Sequence, residues 1–272
     1  RIAFVGSTWS ENFYNDRKIY IMNSDGTDLK CVTSNLDQTP SSPIWASNNS
    51  GVFFNVREFG QSNVYYASVN GEINKVTSGN HMLTMNDLVG NDAVATWTNP
   101  SNPSDIVSFS VKKFNRIERL TNVNKDIFYN VEFGSVEEIT YKSSDGMNVQ
   151  GWIVKPPQFD SNKKYPLVLR IHGGPHSMYH VGFNYNFQLH AAQDQVVLYT
   201  NPRGSTGYGY DFANAIQNAY PGNDYDDLMA GVDEVISKGY IDANKMYVYG
   251  GSGGGVQTSW SVGKTDRFAA AS

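Results

Sequence analysis

Cysteine is almost absent from this chain, since Cys31 is the only one among 272 residues. A single thiol excludes a disulfide framework and a metal site built from thiolates. A lone cysteine is more common in a reducing compartment, but the sequence shows no signal peptide and does not assign a compartment. The sequence is compatible with a soluble protein of the cytoplasm, the periplasm or the cell exterior.

Long apolar runs and basic clusters are missing as well. No apolar stretch approaches the roughly 18–20 residues that a membrane-spanning helix needs. The apolar run at residues 167–171 has the length of a strand and is interrupted by Arg170. The formal net charge is −5 and the Lys and Arg residues form no run. We therefore expect neither a nucleic-acid partner nor an anionic membrane partner.

An internal repeat occupies the first half of the chain. Three segments each combine a β-branched or aromatic strand, a polar turn and a second short strand with a threonine. These threonines, Thr33, Thr77 and Thr121, are spaced 44 residues apart. Turn sequences such as Asn-Gly at residues 70–71 suit a tight hairpin. A period of about 40–45 residues with four short strands is typical of a β-propeller blade.

The repeat predicts a partial β-propeller over residues 1–134. About three blades fit into this length, and a closed propeller needs at least about four. We therefore expect the C-terminal blades of a propeller, in a chain that is an interior piece cut at both ends. An antiparallel sandwich, which also has evenly spaced strands, is the alternative. The propeller is favoured because the repeat keeps its residue types as well as its spacing.

The pattern changes near residue 134, where a hairpin is followed by strands that alternate with helices. This alternation predicts a mostly parallel, doubly wound sheet over residues 135–272. The predicted strands are 138–142, 149–154, 167–171, 196–200 and 246–249, and the predicted helices are 183–193, 208–218, 226–238 and 254–262.

The motif that carries chemistry is Gly-Gly-Ser-Gly-Gly at residues 250–254, between a predicted strand and a predicted helix. Strand, Gly-x-Ser-x-Gly and helix in this order predict the nucleophile elbow of an α/β-hydrolase. The turn must be so sharp that a Cβ at either flank would clash, and the helix N-terminus favours developing negative charge. Ser252 is therefore the candidate nucleophile, and a purely structural glycine turn is the alternative.

Two other glycine motifs fail on spacing. A dinucleotide-binding motif that begins at Gly251 would need glycine where the chain has Val256. A phosphate loop that ends at Lys264 would need glycine where the chain has Thr258. We predict no cofactor and no metal.

A second element of the site is expected in His-Gly-Gly-Pro at residues 172–175, directly after a predicted strand. Acyl transfer needs two hydrogen-bond donors where the substrate oxygen becomes negative. The backbone N–H of Gly253, next to the nucleophile, is one candidate. The N–H of Gly174 is the other, because its loop matches the His-Gly-Gly pattern of lipases and esterases. An ordinary turn at the strand end is the alternative.

Several further stretches extend the pattern beyond these two motifs, above all Asn-Pro-Arg-Gly-Ser at residues 201–205 and Glu-Glu-Ile-Thr at residues 137–140. With them, residues 136–272 resemble the hydrolase domain of the prolyl oligopeptidase family, in its acylaminoacyl-peptidase-like and dipeptidyl-peptidase-like branch. The resemblance implies a β-propeller before the hydrolase domain, which agrees with the repeat. It also implies a propeller that covers the active site and admits small substrates.

Two features depart from the family pattern. Many members have tyrosine after the nucleophile, whereas this chain has Gly253. A backbone donor survives that change, but a packing role of the side chain does not. The second departure is the missing charge relay, because the order in this fold is Ser, then Asp or Glu, then His. After Ser252 the chain has one acid, Asp266, which we assign to the helix end, and no histidine.

The triad acid and base are therefore expected beyond Ser272, and residues 1–272 alone are expected to be inactive. No histidine within the chain fits the order. His172 is interpreted as structural, His190 as a helix residue, and His176 with His180 as loop residues that lack a third metal ligand. The carboxylates of Asp224, Asp226 and Asp227 are interpreted as a helix N-terminus.

The leading hypothesis is a serine peptidase that cleaves short peptides through an acyl-enzyme on Ser252. By resemblance, the bond cleaved lies near a peptide N-terminus or after proline. A carboxylesterase acting on small acyl esters uses the same machinery and is one alternative. A propeller scaffold with a degenerate, non-catalytic hydrolase domain is another. The expected partner is a short peptide substrate, and homo-oligomerisation is left open.

Overall fold

The computed structural model describes residues 1–272, which divide into two compact units. Each unit is described by itself. The repeat unit consists of Arg1–Tyr129, His180–Phe183 and Gly207–Tyr210, and the α/β unit consists of Asn130–Tyr179, Asn184–Thr206 and Asp211–Ser272.

The repeat unit is built from short strands that pair with their neighbours along the chain, and it has one helix of four residues. Its elements are β1 (Ile2–Gly6), β2 (Lys18–Met22), β3 (Lys30–Cys31), β4 (Pro40–Trp45), β5 (Gly51–Glu58), β6 (Gln61–Ser68), β7 (Ile73–Lys75), β8 (Met82–Val89), β9 (Asp92–Asn99), β10 (Asn102–Ser110), β11 (Glu118–Arg119) and α1 (Lys125–Phe128).

The strands form three antiparallel groups. The first is β1-β2-β3, the second is the four-stranded meander β4 to β7, and the third is the four-stranded meander β8 to β11. A single parallel pairing, Ser62 with Met82, links the second group to the third. Alternate residues are buried in β2 and β10, as in Ile19 with Ile21 and Val107 with Phe109, because successive strand side chains point to opposite faces.

The 44-residue spacing of the sequence has a structural counterpart in all three groups. In each group the threonine hydroxyl accepts the backbone N–H of a strand residue 13 to 15 positions earlier. The pairs are Thr33 with Ile19 at 2.8 Å, Thr77 with Val64 at 2.9 Å, and Thr121 with Ile106 at 2.9 Å. The repeat therefore encodes the same side-chain-to-backbone contact three times.

The α/β unit has six strands and four helices. They are β12 (Ser135–Lys142), β13 (Asn148–Lys155), β14 (Tyr165–Ile171), α2 (Tyr185–Ala191), β15 (Val196–Asn201), α3 (Tyr210–Asn214), α4 (Asn223–Ser237), β16 (Ile241–Gly250), α5 (Gly253–Lys264) and β17 (Ala270–Ala271). None of the five helices of the chain has the length and apolar character that a bilayer-spanning helix needs.

The sheet of the α/β unit is mixed, with the order β12-β13-β15-β14-β16-β17. The hairpin β12-β13 and the pair β13-β15 are antiparallel, and the pairs among β14, β15, β16 and β17 are parallel. The parallel strands β14 and β15 are largely buried, as expected for strands with both faces covered. Their carboxyl ends meet at one edge of the sheet, which is where the candidate site lies.

Helices cover both faces of this sheet. Leu228, Val232 and Val235 of α4 pack on the face that includes Leu198. The ring of Phe187 in α2 packs against Tyr199 with ring centroids 4.5 Å apart and an interplanar angle of 31°. Because Leu198 and Tyr199 are consecutive in β15, their side chains point to opposite faces. The predicted alternation of strands and helices is confirmed in this unit.

The predicted boundaries need adjustment in the strand predicted at residues 246–249, which spans Ile241–Gly250, and most clearly in three helices. The helix predicted at residues 208–218 is restricted to Tyr210–Asn214, since Gly207 and Gly209 have φ of 87° and 94°, outside the helical region. The helix predicted to begin at residue 226 begins at Asn223. The helix predicted at residues 183–193 is shorter, at Tyr185–Ala191, with the Asn184 side chain as its N-cap.

Candidate active site

Ser252 lies at a sharp turn between β16 and α5. The strand ends at Gly250, the helix begins at Gly253, and Ser252 is the N-cap residue with φ 56° and ψ −122°. A positive φ is rare for a residue with a side chain and costs about 1–3 kcal/mol. The serine is exposed to solvent. The strand–turn–helix context predicted for the motif is therefore present around Ser252.

The glycines of this turn are required by close backbone contacts. A Cβ on Gly254 would lie 2.4 Å from the carbonyl oxygen of Ile171, and one on Gly250 would lie 2.7 Å from the same atom. Neither distance is compatible with a real side chain. Gly251, in contrast, has open space where its Cβ would be. The two glycines of Gly-x-Ser-x-Gly thus allow α5 to approach β14, while the position before the serine is unconstrained.

The loop after β14 lies directly against the first residue of α5. A Cβ on Gly253 would be 2.5 Å from the carbonyl oxygen of Gly174 and 3.0 Å from its nitrogen. A Cβ on Gly173 would be 3.5 Å from the Cβ of Ser252. The three residues predicted from the sequence, Ser252, Gly253 and Gly174, are therefore brought together at one place.

The backbone N–H groups of Gly174 and Gly253 make no hydrogen bond within the chain. For Gly253 this follows from its position, since the first N–H groups of a helix lack an intrahelical partner. Gly174 has φ 126°, a conformation that favours glycine. Two unpaired N–H donors beside a serine hydroxyl form an arrangement that can stabilise an oxyanion. Their catalytic roles stay predictions.

His172 uses both ring nitrogens inside this loop. Its Nδ1 lies 2.7 Å from the carbonyl oxygen of Gly173, and its Nε2 lies 3.0 Å from the Oγ of Ser205. Burial lowers the pKa of His172, with a smaller opposing effect of the contact with Gly173, so the ring is neutral near pH 7. The predicted structural role of His172 agrees with these contacts.

The loop after β15 holds the loop after β14 at several points. The carbonyl oxygen of Gly204 contacts Nδ1 of His176 at 2.9 Å, and the N–H of Thr206 donates to the carbonyl of Ser177 at 2.8 Å. The side chain of Asn201 accepts from the N–H of Tyr179 and donates to its carbonyl, at 2.7 and 2.9 Å. These contacts fix two sheet-edge loops to each other.

Arg203 anchors this second loop to α4. Its side chain and backbone N–H donate to the carboxylate of Asp227 at 2.7–2.9 Å, and its guanidinium also donates to Asp145 at 2.7 and 3.0 Å. Arg203 is 5% exposed and Asp227 is fully buried. Because a buried charge without an opposite charge beside it is strongly destabilising, each of these two groups requires the other. The hydrogen bond with Arg203 lowers the pKa of Asp145 to about 2.

The ion pair corrects part of the sequence interpretation. Asp224 and Asp226 do lie in the first turn of α4, whereas Asp227 is the buried partner of Arg203. The signal was present, because an arginine placed directly after a fully buried strand needs a carboxylate. Its partner lies 24 residues further along the chain, and spacing alone does not identify it.

Asp224 connects the N-terminus of α4 to α5, the helix that follows Ser252. Its carboxylate accepts the N–H of Gly222 at 2.6 Å and the side-chain amide of Gln257, which belongs to α5. Burial is the main cause that raises the pKa of Asp224. The hydroxyl of Tyr220 also donates to the carbonyl of Gly253 at 2.9 Å.

Two histidines of the α/β unit, His172 and His190, have both ring nitrogens in contact with other groups. His190 contacts Gln195 through Nδ1 at 2.7 Å and the hydroxyl of Tyr249 through Nε2 at 2.6 Å. His81 and His180 belong to the repeat unit, and His172 contacts Gly173 and Ser205 as described. Asp266 is exposed and follows the end of α5 by two residues, in agreement with its assignment to the helix end.

Comparison with known proteins identifies the family. The family model described as the prolyl oligopeptidase family matches residues 181–272. The chain is 38% identical over 232 residues to YuxL of Bacillus subtilis, an uncharacterised peptidase, and the match covers 84% of this chain and 35% of that protein. The chain belongs to the prolyl oligopeptidase family. Its mixed-sheet unit is accordingly of the α/β-hydrolase type.

Two further relatives support the same family. Dipeptidyl-peptidase 5 of Porphyromonas gingivalis is 30% identical over 230 residues, covering 83% of this chain and 34% of that protein. The acylaminoacyl peptidase of Pyrococcus horikoshii superposes with a TM-score of 0.87 at 26% identity, covering 100% of this chain and 42% of that one. The chain thus spans about a third of the length of the curated relatives it matches.

Proposed function

We propose that this family member is a serine peptidase in which Ser252 is the nucleophile. The observation that carries the proposal is the placement of an exposed serine, at positive φ, beside the unpaired N–H groups of Gly253 and Gly174. The hydroxyl oxygen would attack the scissile carbonyl and form an acyl-enzyme as the amine leaves. The two N–H groups would hold the carbonyl oxygen while it carries negative charge.

We assign the general base and its acid partner to residues outside 1–272. The base takes the proton of Ser252 during attack and returns it to the leaving amine. His172 and His190 each have both ring nitrogens occupied by other groups, which argues against them. Residues 1–272 alone should therefore lack peptidase turnover, and efficient hydrolysis of a peptide substrate by this segment would contradict the assignment.

We propose short peptides as the substrates. The names of the relatives support this proposal, since they include dipeptidyl-peptidase 5 and acylaminoacyl peptidase. One acylaminoacyl peptidase with a similar fold is known in complex with Z-Gly-Gly-Phe-chloromethyl ketone, at 26% identity to this chain. We propose that the cleaved bond lies near a peptide N-terminus or after proline, as the resemblance to the family implies.

We further propose that residues 1–134 are the C-terminal blades of a β-propeller and that residues 135–272 belong to the catalytic domain. The proposal is supported by the two four-stranded meanders and by the threonine contact that recurs every 44 residues. A blade leaves apolar faces uncovered and needs neighbouring blades to bury them. Such a propeller would restrict access to small substrates.

The decisive experiment is Ser252→Ala in the intact protein. We expect hydrolysis of an aminoacyl p-nitroanilide to fall by about 10⁴-fold or more, and labelling by a fluorophosphonate to disappear. Ser259→Ala is the matched control, since Ser259 is an exposed serine of α5. Labelling retained in Ser252→Ala would exclude Ser252 as the nucleophile. Hydrolysis of simple p-nitrophenyl acyl esters without any hydrolysis of aminoacyl p-nitroanilides would favour an esterase.

A further inference from the structure

One face of the sheet in the α/β unit is covered over only part of its width. A row of paired residues crosses this face, formed by Trp152 of β13, Tyr199 of β15, Arg170 of β14 and Tyr249 of β16. Trp152 and Tyr199 lie under α2 and are 1% and 3% exposed. Arg170 and Tyr249 are only half-buried, and α2 reaches them at the edge, where Nε2 of His190 contacts the Tyr249 hydroxyl at 2.6 Å. The β14–β16 part of this face is therefore left partly open by residues 1–272.

Arg170 differs from the other arginines of the chain in having neither a carboxylate partner nor full exposure to water. The chain has eight arginines. Four of them form ion pairs, namely Arg116, Arg119, Arg203 and Arg267. Three others are exposed, namely Arg1, Arg17 and Arg57. Arg170 is thus the one half-buried arginine whose charge no carboxylate of residues 1–272 balances.

The hydrogen-bonding capacity of Arg170 is almost unused. A guanidinium has five N–H donors, yet its one hydrogen bond here is a long one, from Nη1 to the carbonyl oxygen of Tyr249 at 3.4 Å. Its Nε is buried without a partner. The Tyr249 ring stacks on one flat side, with its centroid 3.8 Å from the guanidinium carbon. A stacked ring leaves the terminal N–H groups free, and a carboxylate matches their planar geometry.

The missing cover is expected to be a helix. Parallel strands such as β14 and β16 are normally covered by helices on both faces. On the opposite face, Leu169 and Val248 already pack in the core that includes α4. The matches to YuxL and to dipeptidyl-peptidase 5 cover 35% and 34% of those proteins, whose chains therefore contain further segments. A helix that placed only apolar side chains on Arg170 would bury an uncompensated charge, whereas one with a carboxylate would not.

We propose that a helix of the same polypeptide, from outside residues 1–272, covers the β14–β16 part of this face and pairs an aspartate or glutamate with Arg170. Arg170 lies two residues before His172, and Tyr249 lies three before Ser252. The ion pair therefore fixes the ends of the two strands from which the candidate site emerges. The proposal does not depend on Ser252 being a nucleophile.

The direct test is a crystal structure of the intact protein. We expect a carboxylate oxygen from outside residues 1–272 within about 4 Å of a terminal nitrogen of Arg170, on a helix that packs over Tyr249. A guanidinium that contacts only water, an inorganic anion or apolar side chains would overturn the proposal. A carboxylate supplied by a second copy of the protein would overturn it too, because the cover would then be a subunit interface.

Thermal unfolding of the intact protein provides the second readout. Arg170→Met keeps the length of the side chain and removes its charge, so it should lower Tm by about 3 °C or more. Arg57→Met is the matched control, since Arg57 is exposed and makes no ion pair, and its Tm should stay within about 1 °C of wild type. Equal Tm values of the two variants would contradict a buried pair at Arg170.

A double-mutant cycle separates the ion pair from the stacking on Tyr249. The acid found in the crystal structure is replaced by leucine, both in wild type and in Arg170→Met. We expect the replacement to lower Tm clearly in wild type and much less in Arg170→Met, because there the acid has already lost its partner. Equal losses in the two backgrounds would show that Arg170 is stabilised by Tyr249 alone and would overturn the proposed pair.

Discussion

The two sides of the candidate site keep their shape by different means. On the elbow side, the conformation follows from backbone contacts that glycines at residues 250 and 254 permit within a few ångströms of Ser252. On the loop side, residues 172–175 depend on side chains of another loop, which in turn depends on Asp227 of α4. One half of the site is therefore encoded locally, and the other is encoded by residues distant in the chain.

Among the variants that test this difference between the two sides of the site, we expect the largest effect, a loss of stability, for Asp227→Asn. The change leaves the buried Arg203 with only its exposed partner Asp145, and removing one member of a buried pair costs about 3–5 kcal/mol. The free energy of unfolding, determined by urea denaturation of both proteins, measures this loss of stability. Asp145→Asn is the control and should change stability little. Equal stability of Asp227→Asn and wild type would break the comparison.

On the elbow side, Gly253→Ala should act on catalysis more than on stability. Its Cβ would lie 2.5 Å from the Gly174 oxygen, so the loop must move and one oxyanion donor is displaced. We expect kcat to fall by about 10²–10³. Gly251→Ala provides the control on the other side of the serine, where the space is open. Comparable losses in both variants would show that the turn, and not the loop contact, is sensitive.

We expect a smaller loss of stability for Thr77→Val in the repeat unit. The contact between Thr77 and Val64, like those of the elbow, joins residues that are close in the sequence. The buried N–H of Val64 would lose its acceptor, at a cost of about 1–3 kcal/mol. Thr121→Val should cost at least as much, because the Thr121 hydroxyl also donates to the buried carboxylate of Asp105 at 2.6 Å. Thermal unfolding of both variants measures the difference. A clearly smaller loss in Thr121→Val than in Thr77→Val would show that the contact of Thr121 with Asp105 does not stabilise the repeat unit.

The smallest change is expected for Asp224→Asn, which tests whether the elbow helix is independent of distant side chains. Burial raises the pKa of Asp224, so its native state holds the proton more tightly than the unfolded state. This contribution to stability is present below the ordinary aspartate range and is lost as the pH rises through the raised pKa. Urea unfolding across this range should show a flatter pH dependence in the variant. An unchanged slope would assign the pH dependence to other groups.

The same contrast explains what the sequence could predict. The strand before Ser252 and the helix after it were predictable, because apolar periodicity and glycine spacing are local signals. Asp227 was interpreted as part of a helix N-terminus, because its role depends on Arg203, which belongs to another loop. The short helix Tyr210–Asn214 was predicted too long, because its residue types suit a helix while the preceding glycines have positive φ.

The backbone at Ser252 has one more consequence. A glycine could adopt φ 56° and ψ −122° without the strain that serine bears there. A lineage released from selection for hydrolysis should therefore drift toward glycine at residue 252, gaining stability as the hydroxyl disappears. The glycines at residues 250 and 254, which only the packing of α5 requires, should outlast it.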